Sequence, residues 1–213
     1  MRQSAETDAL LESMPRRTSK TKMIYGIGVN DSEFCTSARI DGTCVNHRAY
    51  AAWNGMFKRC YCTSYKKEMK TYDGCSVDVR WHKFSDFFRW WKLNHVKGWH
   101  LDKDIISVGN KIYSPDFCAF IPPSINSFVS LSINRDDNWP IGAFKCSDGG
   151  KYFSKIRDRD GRQRHLGTFA SPEEAHTAWK KAKLEQAESY RNVCDKIHPS
   201  LFSGLVNKIN SMR

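Results

Sequence analysis

No stretch of this chain of 213 residues is apolar for long enough to cross a membrane. Its first residues, MRQSAETDALLESMPRR, lack the long apolar core of a secretory signal, so we expect a cytoplasmic protein with no membrane partner. No two cysteines stand in the CxxC spacing of zinc fingers and redox sites. The Gly26 and Gly28 pair lacks the third glycine and the following helix of a phosphate-binding loop.

Acidic residues are also few compared with basic ones. The chain has 34 Lys and Arg against 23 Asp and Glu, a formal net charge of +11. Acidic proteins, membranes and nucleic acids all attract such a charge. Aromatic residues make up 13% of the chain and include seven Trp. Because bases stack on aromatic rings while phosphates pair with Lys and Arg, this combination favours nucleic acid as the partner.

The eight cysteines are scattered along the chain, which favours reduced, partly buried thiols. A zinc site is the less favoured alternative, since the closest cysteine pair has only one residue between its members. Such a site would have to be assembled by the fold from Cys60, Cys62, Cys75, His82 and Cys118.

The first half of the chain is predicted to contain two aromatic helices behind a basic arm. Residues 1–22 are polar and basic, and we expect a flexible arm there. Residues 23–46 are expected to be extended, with turns such as Asp41-Gly42. Aromatic residues then recur at helical spacing, first at Tyr50, Trp53 and Phe57, and later at Phe84, Phe87, Phe88 and Trp91. We expect both sets to form core rather than a platform for bases.

The stretch 101–126, LDKDIISVGNKIYSPDFCAFIPPSIN, combines acidic side chains, a tight turn and a helix start. Residues 101–105 alternate as a strand does, and Gly109-Asn110 predicts a turn before a second short strand. Ser124 is placed to begin a helix. This order would let three polar side chains converge, those of Asp102, Asp104 and Asn126.

The same stretch resembles the HNH (His-Me finger) nuclease motif of phage and intron homing endonucleases, and a looser likeness to phage-encoded HNH-like proteins extends over roughly residues 25–130. The resemblance implies DNA cleavage in a host cell's cytoplasm with Mg²⁺ or Mn²⁺ rather than zinc. It makes Asp102 and Asn126 metal ligands and places Asn110 in the loop between them. The family's general-base His falls at Lys103, whose ammonium cannot accept a proton from water unless its pKa is driven far down. The implied catalytic set is Asp102, Lys103, Asp104, Asn110 and Asn126, with His95 or His100 as a substitute base.

Residues 139–190 predict three antiparallel strands followed by one helix. Candidate strands span 141–146, 151–157 and 163–169, with turn signals between them at Asp148-Gly149-Gly150 and Asp160-Gly161. Ser171, Pro172 and Glu174 form a helix start of the capping-box type. The apolar face of that helix is expected to be Ala175, Ala178, Trp179 and Ala182.

The segments GKYFSKIRDRDGRQRHLGTF and SPEEAHTAW resemble the DNA-binding domain of plant Apetala and ethylene-response factors. In that family the sheet lies in the major groove, which implies double-stranded DNA as the partner. Alternation places Lys151, Lys155 and Arg157 on one face of their strand. The candidate DNA-binding residues are Phe144, Lys145, Lys151, Lys155, Arg157, Arg159, Arg162 and Arg164.

The expected fold class is α+β. An HNH-like ββα module with flanking helices (23–130) precedes a three-stranded antiparallel sheet packed on one helix (139–190). Residues 191–213 are a tail or a weakly amphipathic helix, which either packs on the domain or forms a homodimer. We expect a sequence-preferring DNA-binding protein that is a divalent-metal-dependent endonuclease. The alternative is a catalytically decayed scaffold that acts as a DNA-binding regulator or inhibits a host protein.

Overall fold

The computed structural model describes residues 4–16, 23–130, 139–147 and 149–213, which form a mixed α+β protein. The helices are α1 Ala5–Ser13, α2 Arg48–Tyr61, α3 Thr63–Glu68, α4 Phe84–Asn94, α5 Pro123–Val129, α6 Pro172–Glu188, α7 Arg191–Ile197 and α8 Leu201–Asn210. The strands are β1 Ser37–Ile40, β2 Thr43–Asn46, β3 Ser76–Val77, β4 His100–Asp102, β5 Ile112–Tyr113, β6 Ala119–Ile121, β7 Ala143–Lys145, β8 Tyr152–Arg157 and β9 Gln163–Phe169. No helix within these ranges has both the length and the hydropathy needed to cross a bilayer.

The chain divides into two compact units whose boundaries differ from the predicted modules. The first unit comprises Met1–Asp104 and Gly109–Phe120, and the second comprises Ile105–Val108 and Ile121–Arg213. The second unit therefore takes a short piece of chain from within the first. Residues 131–138, between the two predicted modules, are among those outside the described ranges.

The core of the first unit is built from the aromatic faces of α2 and α4, as predicted. Trp53, Phe57, Phe84 and Phe87 are all completely buried. The indole N–H of Trp53 donates to the Trp81 carbonyl at 2.7 Å, which satisfies the one polar group that this side chain brings into the core. The aromatic residues at helical spacing are thus structural.

The described part of the predicted N-terminal arm is helical. Ser4 caps α1 by accepting the N–H of Thr7. The buried Asp8 accepts the backbone N–H of Arg48 at 3.0 Å and its Nε at 2.6 Å, and Leu11 is completely buried. This ion pair and this apolar contact supply the stabilisation that a free arm would lack, so the expectation of a flexible arm was wrong for Ala5–Ser13. Most of the basic cluster of the arm lies outside the described residues.

The short strands of the first unit pair differently from the predicted strand, turn and strand. β1 and β2 form a hairpin whose turn residues, Asp41 and Gly42, have φ of 47° and 76°, as a type I′ turn requires. In contrast, β4 pairs with β6, and β5 pairs in parallel with β3. The carbonyl groups of Lys111 and Tyr113 accept N–H groups from the β3 segment. The Gly109-Asn110 turn therefore does not close a hairpin. The polar segment after α2 begins with the short helix α3.

In the second unit, β7, β8 and β9 form the expected antiparallel sheet, and α6 covers one of its faces. Ser171 accepts the N–H of Glu174, whose carboxylate accepts the N–H of Ala170, so the predicted helix start is confirmed. The apolar side chains of α8, Leu201, Leu205 and Ile209, are completely buried. Gly204 of the same helix packs against the carbonyl of Ile105. A β-carbon at Gly204 would lie 1.8 Å from that oxygen.

Candidate nucleic-acid interface and the Lys103 turn

The three-stranded sheet has one covered face and one open face. Ala143, Ser154 and Ile156 are buried on the covered face. They lie beneath α6, whose Ala175, Trp179 and Ala182 are buried. The indole of Trp179 lies so close to Gly142 that a β-carbon there would be 2.1 Å from its Cγ. Because small residues face one another across this layer, the helix lies close to the strands and leaves the other face of the sheet uncovered by α6.

Cross-strand register decides which side chains share the open face. Phe144 pairs with Phe153, Lys155 with His165, and Arg157 with Gln163. Directly paired residues of antiparallel strands project to the same side of a sheet. We call these six residues the open sheet face: Phe144, Phe153, Lys155, Arg157, Gln163 and His165.

Three rings on the open sheet face form a row. Phe144 stacks on Phe153 with centroids 5.2 Å apart, and Phe153 stacks on His165 at 6.1 Å. The ammonium of Lys155 lies 5.0 Å from the Phe144 centroid and 5.8 Å from the Phe153 centroid. A cation at this distance is attracted to the ring quadrupole, which restrains a side chain that would otherwise be flexible. The lysine charge therefore has a defined position over the sheet.

Other predicted contact residues lie elsewhere. Lys145 pairs with Tyr152, and Arg164 pairs with the buried Ile156, so both belong to the face that carries α6. Arg164 Nε also lies 3.4 Å from a carboxylate oxygen of Asp158.

The remaining cations lie around the rim of the sheet. Arg159 lies over the ring of Tyr190 with 4.9 Å between guanidinium carbon and centroid. Arg162 pairs with Asp160 in the β8–β9 turn, and Lys151 is exposed just before β8. Of the eight predicted DNA-binding residues, Phe144, Lys155 and Arg157 lie on the open sheet face, and Lys151, two residues before Phe153, continues the same alternation.

Sequence analysis missed Phe153, Gln163 and His165 as members of this surface. Phe153 could have been found, because it alternates with Lys155 in the same strand. His165 and Gln163 depend on a bulge, since Ser154 pairs with Gly167 while the next residue, Lys155, pairs with His165. The extra residue reverses the alternation of β9 at that point.

The predicted catalytic residues after β4 form a compact turn, the Lys103 turn. Lys103 is only 7% exposed, and its Nζ lies 3.2 Å from a carboxylate oxygen of Asp104 and 3.3 Å from the Asn110 carbonyl oxygen. Asn110 Nδ2 donates to the carbonyls of Lys103 and Ile112, and its Oδ1 accepts the N–H of Ile112. Asp102 Oδ1 accepts the N–H of Asp104 at 2.9 Å. The lysine and the asparagine thus hold the turn together.

The groups of this turn differ in how well they fit a divalent ion. Asp104 already pairs with an ammonium, and the amide of Asn110 is engaged by the backbone. Asp102 offers a carboxylate of the kind that Mg²⁺ binds together with water and substrate phosphates. Asn126 belongs to the second unit, in α5, where its carbonyl accepts the N–H and hydroxyl of Ser130.

Three of the cysteines suggested as zinc ligands are buried thiols. Cys60, Cys75 and Cys118 are buried in the aromatic core, and burial raises the pKa of the Cys60 thiol to about 12. A thiol that resists ionisation is a poor metal ligand and a poor nucleophile. Within the described ranges, no group of three or more His, Cys, Asp or Glu residues is arranged to hold a metal.

Comparisons of this chain with protein-family models, with curated proteins and with solved structures found no match.

Proposed function

We propose that this protein binds double-stranded DNA through the open sheet face. The observation that carries the proposal is the position of Lys155, whose ammonium lies over the Phe144 and Phe153 rings on the side of the sheet opposite α6. Arg157 is exposed on the same face. Lys155 can pair with a phosphate of a duplex, and Arg157 can reach the base edges from the same face. The net charge of +11 adds a long-range attraction to the same partner.

The pair Arg157 and Gln163 suggests how a sequence preference arises. They are cross-strand partners at the same level of the sheet. An arginine makes paired hydrogen bonds to guanine in the major groove, and a glutamine makes them to adenine. Adjacent placement of these two side chains therefore favours neighbouring guanine and adenine edges.

The binding test compares two double variants that remove the same charge. Lys155→Gln with Arg157→Gln alters the open sheet face, whereas Lys181→Gln with Lys196→Gln removes exposed cations from α6 and α7. We expect the first to weaken binding of a labelled duplex at least about tenfold and to lower the salt slope by about one, because Lys155 pairs with a phosphate whereas Arg157 reads a base edge. The second is expected to leave the slope unchanged, as measured by fluorescence anisotropy. If both double variants lose the same affinity, net charge alone explains binding and the proposal is overturned.

A third variant tests the sequence preference separately from the affinity. Gln163→Ala removes the proposed adenine contact without changing charge. Binding sites selected from random duplexes should lose preference at one position, while the salt slope stays as in the unaltered protein. An unchanged selected sequence would remove Gln163 from the reading surface.

The second candidate function is divalent-metal-dependent cleavage of the bound DNA. In its favour, β4 pairs with β6, which precedes α5, although β5 lies between the two strands in the chain. Asp102 ends β4 with its carboxylate oriented by the Asp104 N–H. A bound ion would stabilise charge on the scissile phosphate and the leaving oxygen. Against it, the base position holds the ammonium of Lys103 paired with Asp104. His95, which burial holds at a lowered pKa and thus neutral at pH 7, is the candidate base.

Nicking of supercoiled DNA with Mg²⁺, Mn²⁺ or EDTA tests this second function. Metal-dependent nicking that is lost in Asp102→Ala but kept in the exposed-carboxylate control Glu68→Ala would establish the endonuclease. Lys103→His, which restores an imidazole at the base position, should then increase nicking. Tight, salt-sensitive binding without nicking of several DNAs would assign the protein to DNA-binding regulation on a decayed nuclease scaffold.

A further inference from the structure

A cleft in the first unit, which we call the Trp99 cleft, is separate from the open sheet face. It encloses about 490 Å³, within the range of small-ligand sites. Helix α2 supplies one wall, α4 and the segment after it supply another, and β6 contributes the third. The lining side chains that matter here are Arg48, Arg59, Trp91, His95, Trp99 and Phe120.

The wall from α2 is a strip of small residues with an arginine at each end. Arg48 and Arg59 are eleven residues apart, or about three turns, which places them on one side of the helix roughly 16 Å apart. Ala51 and Ala52 line the cleft between them. A flat ring can approach the helix over such small side chains.

The opposite wall is aromatic. His95 stacks on Trp91 with centroids 4.2 Å apart, and Phe120 meets His95 edge to face at 5.2 Å. Trp99 follows Gly98, whose φ of +81° sets the turn that brings the indole to the cleft. Among the described residues, no ring stacks on Trp99. The cleft therefore has a stacked aromatic wall and an indole that a further ring can join.

The lining of the cleft contains two arginines and no carboxylate. Arg48 is already neutralised by the buried Asp8. Arg59 differs. Its Nε donates to the Tyr113 hydroxyl at 2.8 Å, and within the described ranges it has no carboxylate partner at ion-pair distance. A guanidinium held by a neutral phenol keeps its full charge for an anion.

We propose that the Trp99 cleft binds one unpaired nucleotide, with its base stacked on Trp99 and its phosphate held by Arg59. An aromatic wall with a fixed guanidinium is the arrangement that binds single strands, where stacking and phosphate pairing act together. This binding mode does not depend on the open sheet face, which lies in the other unit. The nucleotide is either free or part of a single strand, and the two sources share this chemistry.

The test uses the full chain and a labelled oligothymidine of about ten nucleotides. We expect Trp99→Leu to weaken binding about tenfold or more, Trp99→Phe to restore part of it, and Arg59→Gln to weaken it and reduce its salt dependence. The Lys155→Gln, Arg157→Gln double variant should bind the oligothymidine as the unaltered protein does. Urea midpoints identify any variant that has lost its fold. If Arg59→Gln unfolds, the comparison of Trp99→Leu with Trp99→Phe still tests the proposal.

Competition with unlabelled thymidine monophosphate separates the two sources. If thymidine monophosphate displaces the labelled oligothymidine, and Trp99→Leu raises the concentration needed, the cleft binds a free nucleotide. Displacement by unlabelled single strand alone would support the cleft with a strand as its ligand. Equal binding of the oligothymidine by Trp99→Leu and the unaltered protein, or loss of binding only in the sheet double variant, would overturn the proposal.

Discussion

Lys103 and Asn110 bind each other reciprocally across the turn that follows β4. Lys103 Nζ donates to the Asn110 carbonyl at 3.3 Å, and Asn110 Nδ2 donates to the Lys103 carbonyl at 2.6 Å. Two residues that a nuclease motif would use for chemistry thus maintain the backbone that presents Asp102. This structural role of Lys103 and Asn110 does not depend on whether the protein cleaves DNA.

The first prediction concerns this turn. Asn110→Ala removes two donated bonds and one accepted bond, and leaves the Lys103 carbonyl without that donor. We expect the free energy of unfolding to fall by about 1 to 3 kcal/mol in urea titrations. Asn94→Ala is the control, because Asn94 makes one exposed bond to the Trp90 carbonyl and should cost less than about 0.5 kcal/mol. A loss at Asn110 no larger than at Asn94 would show that the turn is held by other contacts.

The second prediction concerns two glycines of the second unit. Gly204→Ala would force a methyl group against the Ile105 carbonyl oxygen, and the nearest atoms there are backbone atoms of Ile105 and Ile106, which leave little room to relax. We expect a loss of at least about 1 to 3 kcal/mol in the free energy of unfolding. Gly150→Ala should leave stability unchanged or raise it slightly, because nothing lies within 4 Å of a β-carbon there. Thermal and urea unfolding of both variants would reveal the contrast, and equal stabilities would contradict the packing of α8 on Ile105.

The third prediction concerns a buried hydroxyl beneath α6. Ser154 is completely buried, and among the described residues its Oγ has no hydrogen-bond partner. Ser154→Ala removes an unsatisfied polar atom, so the free energy of unfolding should stay level or rise by up to about 1 kcal/mol. Ser171→Ala, which removes the N-cap of α6, should instead lower it by about 1 kcal/mol. If Ser154→Ala is as costly as Ser171→Ala, the hydroxyl has a partner in solution.

The fourth prediction is a pH dependence. Burial is the main cause of the lowered pKa of His95, and the nearby charges of Arg48 and His47 lower it further while Asp8 opposes them. The unfolded chain therefore takes up this proton near the ordinary pKa of about 6.5, and the folded protein does so only at lower pH. Since the unfolded state then binds more protons, the free energy of unfolding should fall on going from about pH 7 to about pH 5.

His95→Phe keeps a ring on Trp91 and removes the titration. Its free energy of unfolding should fall less than that of the unaltered protein over the same pH range. Identical pH profiles would show that the proton is taken up elsewhere.

The helices and the sheet of the second unit were predictable because their signals are local. Helical spacing of Trp53 and Phe57 identified α2, and Ser171 with Glu174 marked the start of α6. Pairing between distant strands was not predictable. Nothing near Ile112 and Tyr113 indicates that their partners are Ser76 and Val77 rather than β4.

The candidate surfaces show the same limit. Alternation correctly put Lys155 and Arg157 together, but it fails across a bulge, and Arg164 consequently lies opposite Ile156. Gly167, which has φ of +133°, lies next to that irregularity. The sequence shows that Lys103 stands between Asp102 and Asp104, but the burial of Lys103 and its ion pair with Asp104 depend on the folded loop.

The packing of Gly204 on Ile105 also sets the order of events during synthesis. Residues 105–108 leave the ribosome long before α8 has been made, yet they belong to the same compact unit. Ile105 is completely buried in the folded protein, but during translation it contacts water or transient partners until α8 has been made. A contact between such distant parts of the chain is slow to form, so the second unit is expected to complete its fold after translation of α8.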